Sequence, residues 1–198
     1  MKLATYTLFF LIFGLTAQAG SKITGGWDSR LGDQWGLAFH GEKFLFNITA
    51  GGFITSAIGD DALAAVNTTS LNRYGVSSGF EEDTLSYNVS YAYVFNNRED
   101  AGMYLGVGYS ATTFDLSLNG DVLTLDGSGD FSTADVFGGF YAGNDKFYFD
   151  VRIGYGYSIS SEATANATAN GITQSFTYFE DDNPLEGFFT AITLGFGF

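Results

Sequence analysis

From residue 147 to 159 every second side chain is large and apolar: Phe147, Phe149, Val151, Ile153, Tyr155, Tyr157 and Ile159 share one parity. The other parity holds Tyr148, Asp150, Arg152, Gly154, Gly156 and Ser158, so charge and small size fall together. A period of two marks a β-strand whose two faces meet different surroundings. The same alternation recurs at 85–95, where Leu85, Tyr87, Val89, Tyr91, Tyr93 and Phe95 oppose Ser86, Asn88, Ser90 and Ala92, and at 103–112. At 134–141, Ala134, Val136, Gly138 and Phe140 oppose Asp135, Phe137, Gly139 and Tyr141. The last segment, 187–198, sets Phe188, Thr190, Ile192, Leu194, Phe196 and Phe198 against Phe189, Ala191, Thr193, Gly195 and Gly197. Its greasy face needs a cover, and a lipid bilayer supplies one.

Earlier segments carry a weaker pattern. Residues 44–56 predict a strand with Phe44, Phe46, Ile48, Ala50 and Ile54 outward, and 33–40 one with Trp35, Leu37 and Phe39 outward. The least patterned is 22–28, with Ile23, Gly25 and Trp27 alternating, followed by a turn at Ser29-Arg30-Leu31-Gly32. Short connections are expected at Gly41-Glu42-Lys43, Asn96 to Asp100 and Gly143 to Lys146. Residues 59–83 read as a long exposed loop; the alternative makes 64–80 a strand and fuses the first two segments into one.

Two places in the second half depart from simple alternation. After Thr113 the apolar residues Phe114, Leu116 and Leu118 change parity, which predicts a bulge or an exit from the membrane. Asn119-Gly120 follows, a strong hairpin signal between 115–118 and 121–125, so the strand pair is expected to continue above the membrane as a ribbon. The tandem A-T-A-N-A-T-A-N at 163–170, closed by Gly171, reads as a loop tip, with 172–179 as its return arm and Glu180 to Pro184 as the break before the final strand.

These segments add up to an all-β chain: an antiparallel up-and-down transmembrane β-barrel of about eight strands, with short periplasmic turns and long external loops. Lys43, Arg98 and Lys146 fall one in each short turn, whereas Asp60, Asp61, Glu81, Glu82, Asp83, Asp121, Asp126, Asp130, Glu162, Glu180, Asp181 and Asp182 fall in expected external loops. Composition agrees with this fold. Among 198 residues are 27 Gly, 21 Phe and 12 Tyr but one Pro and no Cys, which suits strands with small residues inside and large ones facing lipid. The net charge of −14 argues against nucleic acid as a partner, since phosphate neutralisation needs clustered Lys and Arg.

Residues 1–19 read as a signal peptide. Lys2 supplies the positive start, 8–15 an apolar core too short to span a bilayer, and Ala17-Gln18-Ala19 the small residues for cleavage. The mature barrel is then expected over 20–198, and export without an anchor leaves the periplasm, the outer membrane or the exterior as its place.

Export signal, alternation, turn pattern and terminal Phe198 together resemble the small eight-stranded outer-membrane barrels of the OmpX, opacity-protein and OmpA transmembrane-domain class. The resemblance covers nearly all of the mature chain and implies an outer-membrane barrel. It also implies that Phe188, Ile192, Leu194, Phe196 and Phe198 form the C-terminal signal read by the barrel assembly machinery. No segment is expected to remain for a periplasmic peptidoglycan-binding domain. Because the class includes adhesins, envelope-structure proteins and a few lipid-modifying enzymes, the resemblance specifies architecture rather than activity.

Candidate chemistry is sparse. His40, the sole His, lies at the expected periplasmic end of its strand, where a general base cannot reach lipid in the outer leaflet. Asp150 and Arg152, with Asp135 from the neighbouring strand, are expected to form a structural charge cluster in the barrel interior; the alternative is a gated ion path. The acidic external runs fit no EF-hand loop. No catalytic residues, cofactor or metal site are expected. The reading is a non-enzymatic envelope-structural or surface-interaction protein, a monomer in contact with outer-membrane lipid and lipopolysaccharide; the alternatives are a narrow porin-like channel, a lipid-modifying enzyme, or a secreted soluble β-sandwich.

Overall fold

The computed structural model describes residues 20–51, 80–98, 101–119, 123–144, 146–169, 171–178 and 183–197. The expected signal peptide, most of the expected loop 59–83, the tip Gly120 and the terminal Phe198 lie outside the described residues. Among the described residues nine strands are present: β1 (Gly20–Asp28), β2 (Gly32–His40), β3 (Phe44–Gly51), β4 (Phe80–Arg98), β5 (Ala101–Asn119), β6 (Leu123–Gly143), β7 (Phe147–Ala169), β8 (Ile172–Tyr178) and β9 (Gly187–Gly197).

Each strand from β1 to β7 pairs antiparallel with the next, and β9 closes the sheet by pairing with β7 on one side and β1 on the other. Eight strands therefore form a barrel, and β8 is an added arm on the upper part of β7. Closure runs through β1, the least patterned segment of the sequence, with Ile23 opposite both Leu37 and Phe196. In lipid an open edge would leave backbone N–H and C=O groups unpaired at a cost of several kcal/mol each. β1 is thus held by its two neighbours more than by its own pattern.

The alternation sets the two surfaces. Outward positions expose Trp35, Leu105, Val107, Val136, Ile153, Phe196 and Phe188, the last at 82%. Inward positions bury Ala38, Leu45, Ala92, Tyr104, Phe137, Tyr148 and Phe189 into a core that fills the barrel. Tight turns close the periplasmic rim: the Gly41 N–H donates to the Phe44 carbonyl (3.0 Å), and Asn144 Oδ1 accepts from the N–H groups of Lys146 (2.9 Å) and Phe147 (3.0 Å).

Strand lengths differ around the sheet: β1 and β2, joined by the turn at 29–31, span 9 residues each, whereas β4 to β7 span 19 to 23. The upper parts of β4 to β7, extended by β8, form a raised sheet above one side of the barrel. The ribbon expected from Asn119-Gly120 is part of this sheet, with Asn119 opposite Thr124.

Two expectations need correction, and a third resolves to one of its two readings. The parity change after Thr113 is the exit and no bulge: β5 keeps its register with β6 throughout, while Phe114 points inward and Thr113 and Asp115 outward. Outside the bilayer the outer face turns polar and the inner face apolar, so the pattern inverts while the strand continues. Bulges fall instead in β7, between Ser158 and Ser160 opposite Ser132 and Thr133, and in β4 between Val94 and Asn96. The A-T-A-N repeat is strand rather than loop tip, because alternating Ala and Thr or Asn suits a two-faced strand: Ala163 and Ala165 face in, Thr164 and Asn166 out. The turn lies one residue later, at Gly171, whose φ of 77° favours glycine. Finally, β4 begins at Phe80 instead of 84, so Glu81 to Asp83, with Asp126, Asp130 and Glu162, lie on strands of the raised sheet rather than in loops. β3 is described to Gly51; its expected extension to 56 lies outside the described residues.

Candidate functional site

The barrel interior gathers the buried charge. Among the described residues Lys22, Arg30 and Arg152 are buried with Asp28, Asp135 and Asp150, three cations against three anions. The sequence places Asp135, Asp150 and Arg152 on inner faces, and all three are buried there; they belong to two separate groups, however, because Asp135 takes a different cation.

The upper group is built around Arg30, a residue of the external turn between β1 and β2. Asp28 Oδ1 accepts from the N–H groups of Arg30 (2.8 Å) and Leu31 (3.3 Å), and Gly32, at φ 72°, lets the chain reverse into β2. This compact turn tips the Arg30 side chain down into the lumen. Its Nη1 donates to Asp135 Oδ1 (2.9 Å) and its Nη2 to Asp135 Oδ2 (3.1 Å), a two-pronged pairing that matches the fork of a guanidinium. Nη1 also donates to the Leu185 carbonyl (3.1 Å), and the guanidinium lies 3.7 Å from the centroid of the Phe189 ring. Asp135 accepts further bonds from Ser110 Oγ (2.5 Å) and Thr133 Oγ1 (2.9 Å), and Asn88 donates to Ser110 (2.9 Å).

The middle group belongs to β7 and β5. Arg152 Nη2 donates to Asp150 Oδ2 (3.1 Å), Tyr104 donates its hydroxyl proton to Asp150 Oδ1, and Arg152 Nη1 donates to Ser90 Oγ (3.2 Å). Nearer the periplasmic rim the His40 ring meets Tyr148 edge-on at 4.3 Å and Tyr141 at 5.3 Å, while Lys22 donates to the Asn144 carbonyl (2.9 Å). His40 thus sits among interior aromatic rings at the periplasmic end.

Two external segments cap the barrel. Leu31 and Leu185, both fully buried, pack with Phe114, Phe131 and Ala163 into a second apolar core. Asn183 ties its segment to the raised sheet, donating to the carbonyls of Ser132 (2.8 Å) and Ser160 (2.9 Å) and accepting from the Leu185 N–H (2.9 Å). Gln34 donates to the Leu31 carbonyl (2.9 Å) and to Ser86 Oγ (3.0 Å).

Sequence reasoning missed Arg30, Asn183 and Leu185. A signal existed for Arg30, a cation followed by Leu31 in a short turn on a side of the molecule rich in acid. The assembly-signal residues Phe188, Ile192, Leu194 and Phe196 all point outward and are exposed, whereas Phe198 lies outside the described residues. Among the described residues no group of three or more His, Asp or Glu side chains is arranged to hold a metal ion, and no helix is long and apolar enough to cross a membrane.

A closed eight-stranded barrel with an apolar outer band, a polar and aromatic interior, short turns at one rim and tall strands at the other defines a small transmembrane β-barrel of the outer-membrane class. No family model matches the sequence, and no curated protein matches it. Among solved structures the chain is similar to a major outer membrane protein from Thermus thermophilus, at 12% identity and a TM-score of 0.53, over 91% of this chain and 99% of that one. It also matches the N-terminal β-barrel domain of Pseudomonas aeruginosa OprF (11% identity, TM-score 0.45, 91% and 98% covered) and Neisserial surface protein A (12%, 0.43, 91% and 96%). The chain is an outer-membrane β-barrel protein of the small eight-stranded kind: an apolar band of this extent on a closed barrel has its place in a bilayer.

Proposed function

We propose that this barrel acts without catalysis, as a structural element of the envelope whose raised external sheet makes surface contacts. The observation that carries the reading is the filled lumen. Arg30 with Asp135, Arg152 with Asp150, and the rings of Tyr104, Phe137, Tyr148 and Phe189 are all buried in the barrel interior. Balanced charge inside also gives no net field to select an ion, unlike the one-sign rings of ion pores. The position of His40, at the rim away from the outer leaflet, supports the non-enzymatic reading. Its partners on this view are outer-membrane lipid and lipopolysaccharide, and the assembly machinery during insertion, with the barrel itself a monomer.

Planar-bilayer recording with purified protein tests the closed lumen: no steady conductance is expected, and large sustained currents would overturn the reading in favour of a channel. Mass spectrometry of lipid A from cells with and without the protein tests the absence of catalysis. Identical lipid A is expected, with His40→Ala equally silent; a mass change dependent on the protein would make it an enzyme.

A further inference from the structure

We propose that the outward face of the raised sheet packs against the sugar headgroups of the outer-leaflet glycolipid, a partner assignment that rests on the surface-contact reading above. The first ground is position. On β5 the outward parity runs from Val107 and Tyr109 in the apolar band, past the buried Ala111, to Thr113 and Asp115 above it. On β6 it runs from Val136 and Ala134, past the buried Ser132, up to Asp130 and Ser128. On β7 the bulge at Ser158–Ser160 resets the parity, so that Glu162, Thr164 and Asn166 continue the same face. Whatever surrounds the apolar band laterally meets this face next. From Glu162 to Thr168 it rises about 20 Å along the strand at ~3.3 Å per residue.

The second ground is chemistry. Pairing across four strands lines up Asp115, Ser128, Thr164 and Thr177 in one row, and Ser117, Asp126, Asn166 and Ser175 in the next. The opposite face of the same strands carries Phe114, Leu116, Gly127, Gly129, Ala163 and Ala165. Every outward member is a hydroxyl, carboxamide or carboxylate on a short stem, and neighbours brace one another: Thr168 and Thr173 hydroxyls lie 2.9 Å apart, and Ser175 donates to Asn166 (2.7 Å). A braced, flat array of donors and acceptors matches the closely spaced hydroxyls of a sugar, with little side-chain entropy lost on contact. Residues 113–119, 124–131 and 160–178 contain no Lys or Arg, so the face has no cation for phosphate, and neutral sugar hydroxyls are its complement.

The chain lacks cysteine, which makes single-site labelling direct. Full-length Asn166→Cys and Asp126→Cys variants on the outward face, Ala167→Cys on the inward face and Ile153→Cys in the apolar band would each carry a spin label. Heat-modifiable migration confirms that each is folded. The proteins are placed in bilayers whose outer leaflet is lipopolysaccharide with its core sugars, or lipid A without them, at the same Mg²⁺ concentration. Collision with a water-soluble nickel chelate is the readout. The expected result is a several-fold loss of accessibility at Asn166→Cys and Asp126→Cys when the sugars are present, with Ala167→Cys unchanged and Ile153→Cys shielded in both. Equal accessibility of the outward labels in the two membranes would overturn the proposal, as would equal shielding of inward and outward labels. Conductance or altered lipid A would sink the functional reading alone, because neither changes what the labels report.

Discussion

Arg30 and Asp135, 105 residues apart in the chain, are joined by two hydrogen bonds of 2.9 and 3.1 Å across the upper lumen, so an external turn is locked to the wall of the barrel. Both side chains are nearly inaccessible, at 5% and 0% exposure. Arg30→Met would leave Asp135 buried without its counter-charge, an error that costs about 3–5 kcal/mol in such settings. Urea unfolding followed by heat-modifiable gel migration should show that loss, and the paired change Arg30→Met with Asp135→Leu should recover most of it. Equal stability of the single variant and the parent would remove the pair from the account of stability.

Gly156 is the residue that lets this pair form. A Cβ built there would collide with Arg30 Nη1 and lie 2.9 Å from both Asp135 Oδ1 and the Leu185 carbonyl. Gly156→Ala should destabilise the barrel by about 1–3 kcal/mol, the usual range for overpacking. Its effect should be strongly non-additive with Arg30→Met, since the methyl group acts by displacing the same guanidinium. A double-mutant cycle measures the coupling; additive effects would show that Gly156 matters for another reason.

The middle group makes a separate prediction. Tyr104 donates to the fully buried carboxylate of Asp150, which also holds Arg152. Tyr104→Phe keeps the ring and removes that bond, at a cost of about 1–3 kcal/mol for a buried acceptor left short of a donor. The same unfolding assay reads it, and no change would mean that another donor replaces the phenol.

The apolar band is tested by contrast. Ile153 is exposed in the middle of the apolar run 147–159 of β7, and Thr164 is exposed on the same strand above the bulge. A lysine near the bilayer midplane costs about 2–4 kcal/mol, falling toward zero at the interfaces. Ile153→Lys should therefore impair folding into phospholipid vesicles, whereas Thr164→Lys should fold like the parent. Similar behaviour of the two would misplace the membrane on this barrel.

Closure of the barrel rests on β1, in which Ile23 faces Leu37 on one side and Phe196 on the other. Ile23→Pro removes an N–H from a strand paired on both edges. The folded, heat-modifiable band should disappear. Its survival would place the seam elsewhere.

Much of this molecule is legible in the order of its residues. The period of two in β4 to β7 and β9, the short turns and the sparing use of proline require a closed antiparallel barrel with lipid outside, because each strand carries its own record of which neighbour is apolar. The inward positions of Asp135, Asp150 and Arg152 follow from the same parity. Tertiary structure decided the rest. β1 has little pattern of its own and is a strand because β2 and β9 both need a partner. The inversion after Thr113 and the A-T-A-N repeat could not be placed from local pattern, since alternation tells which residues share a face but not whether that face meets lipid or water. Arg30 reads as a turn residue until the turn is seen folded over the lumen. Ion pairing across a barrel depends on which side chains arrive at the same depth, and strand register, a property of the closed sheet, sets that depth.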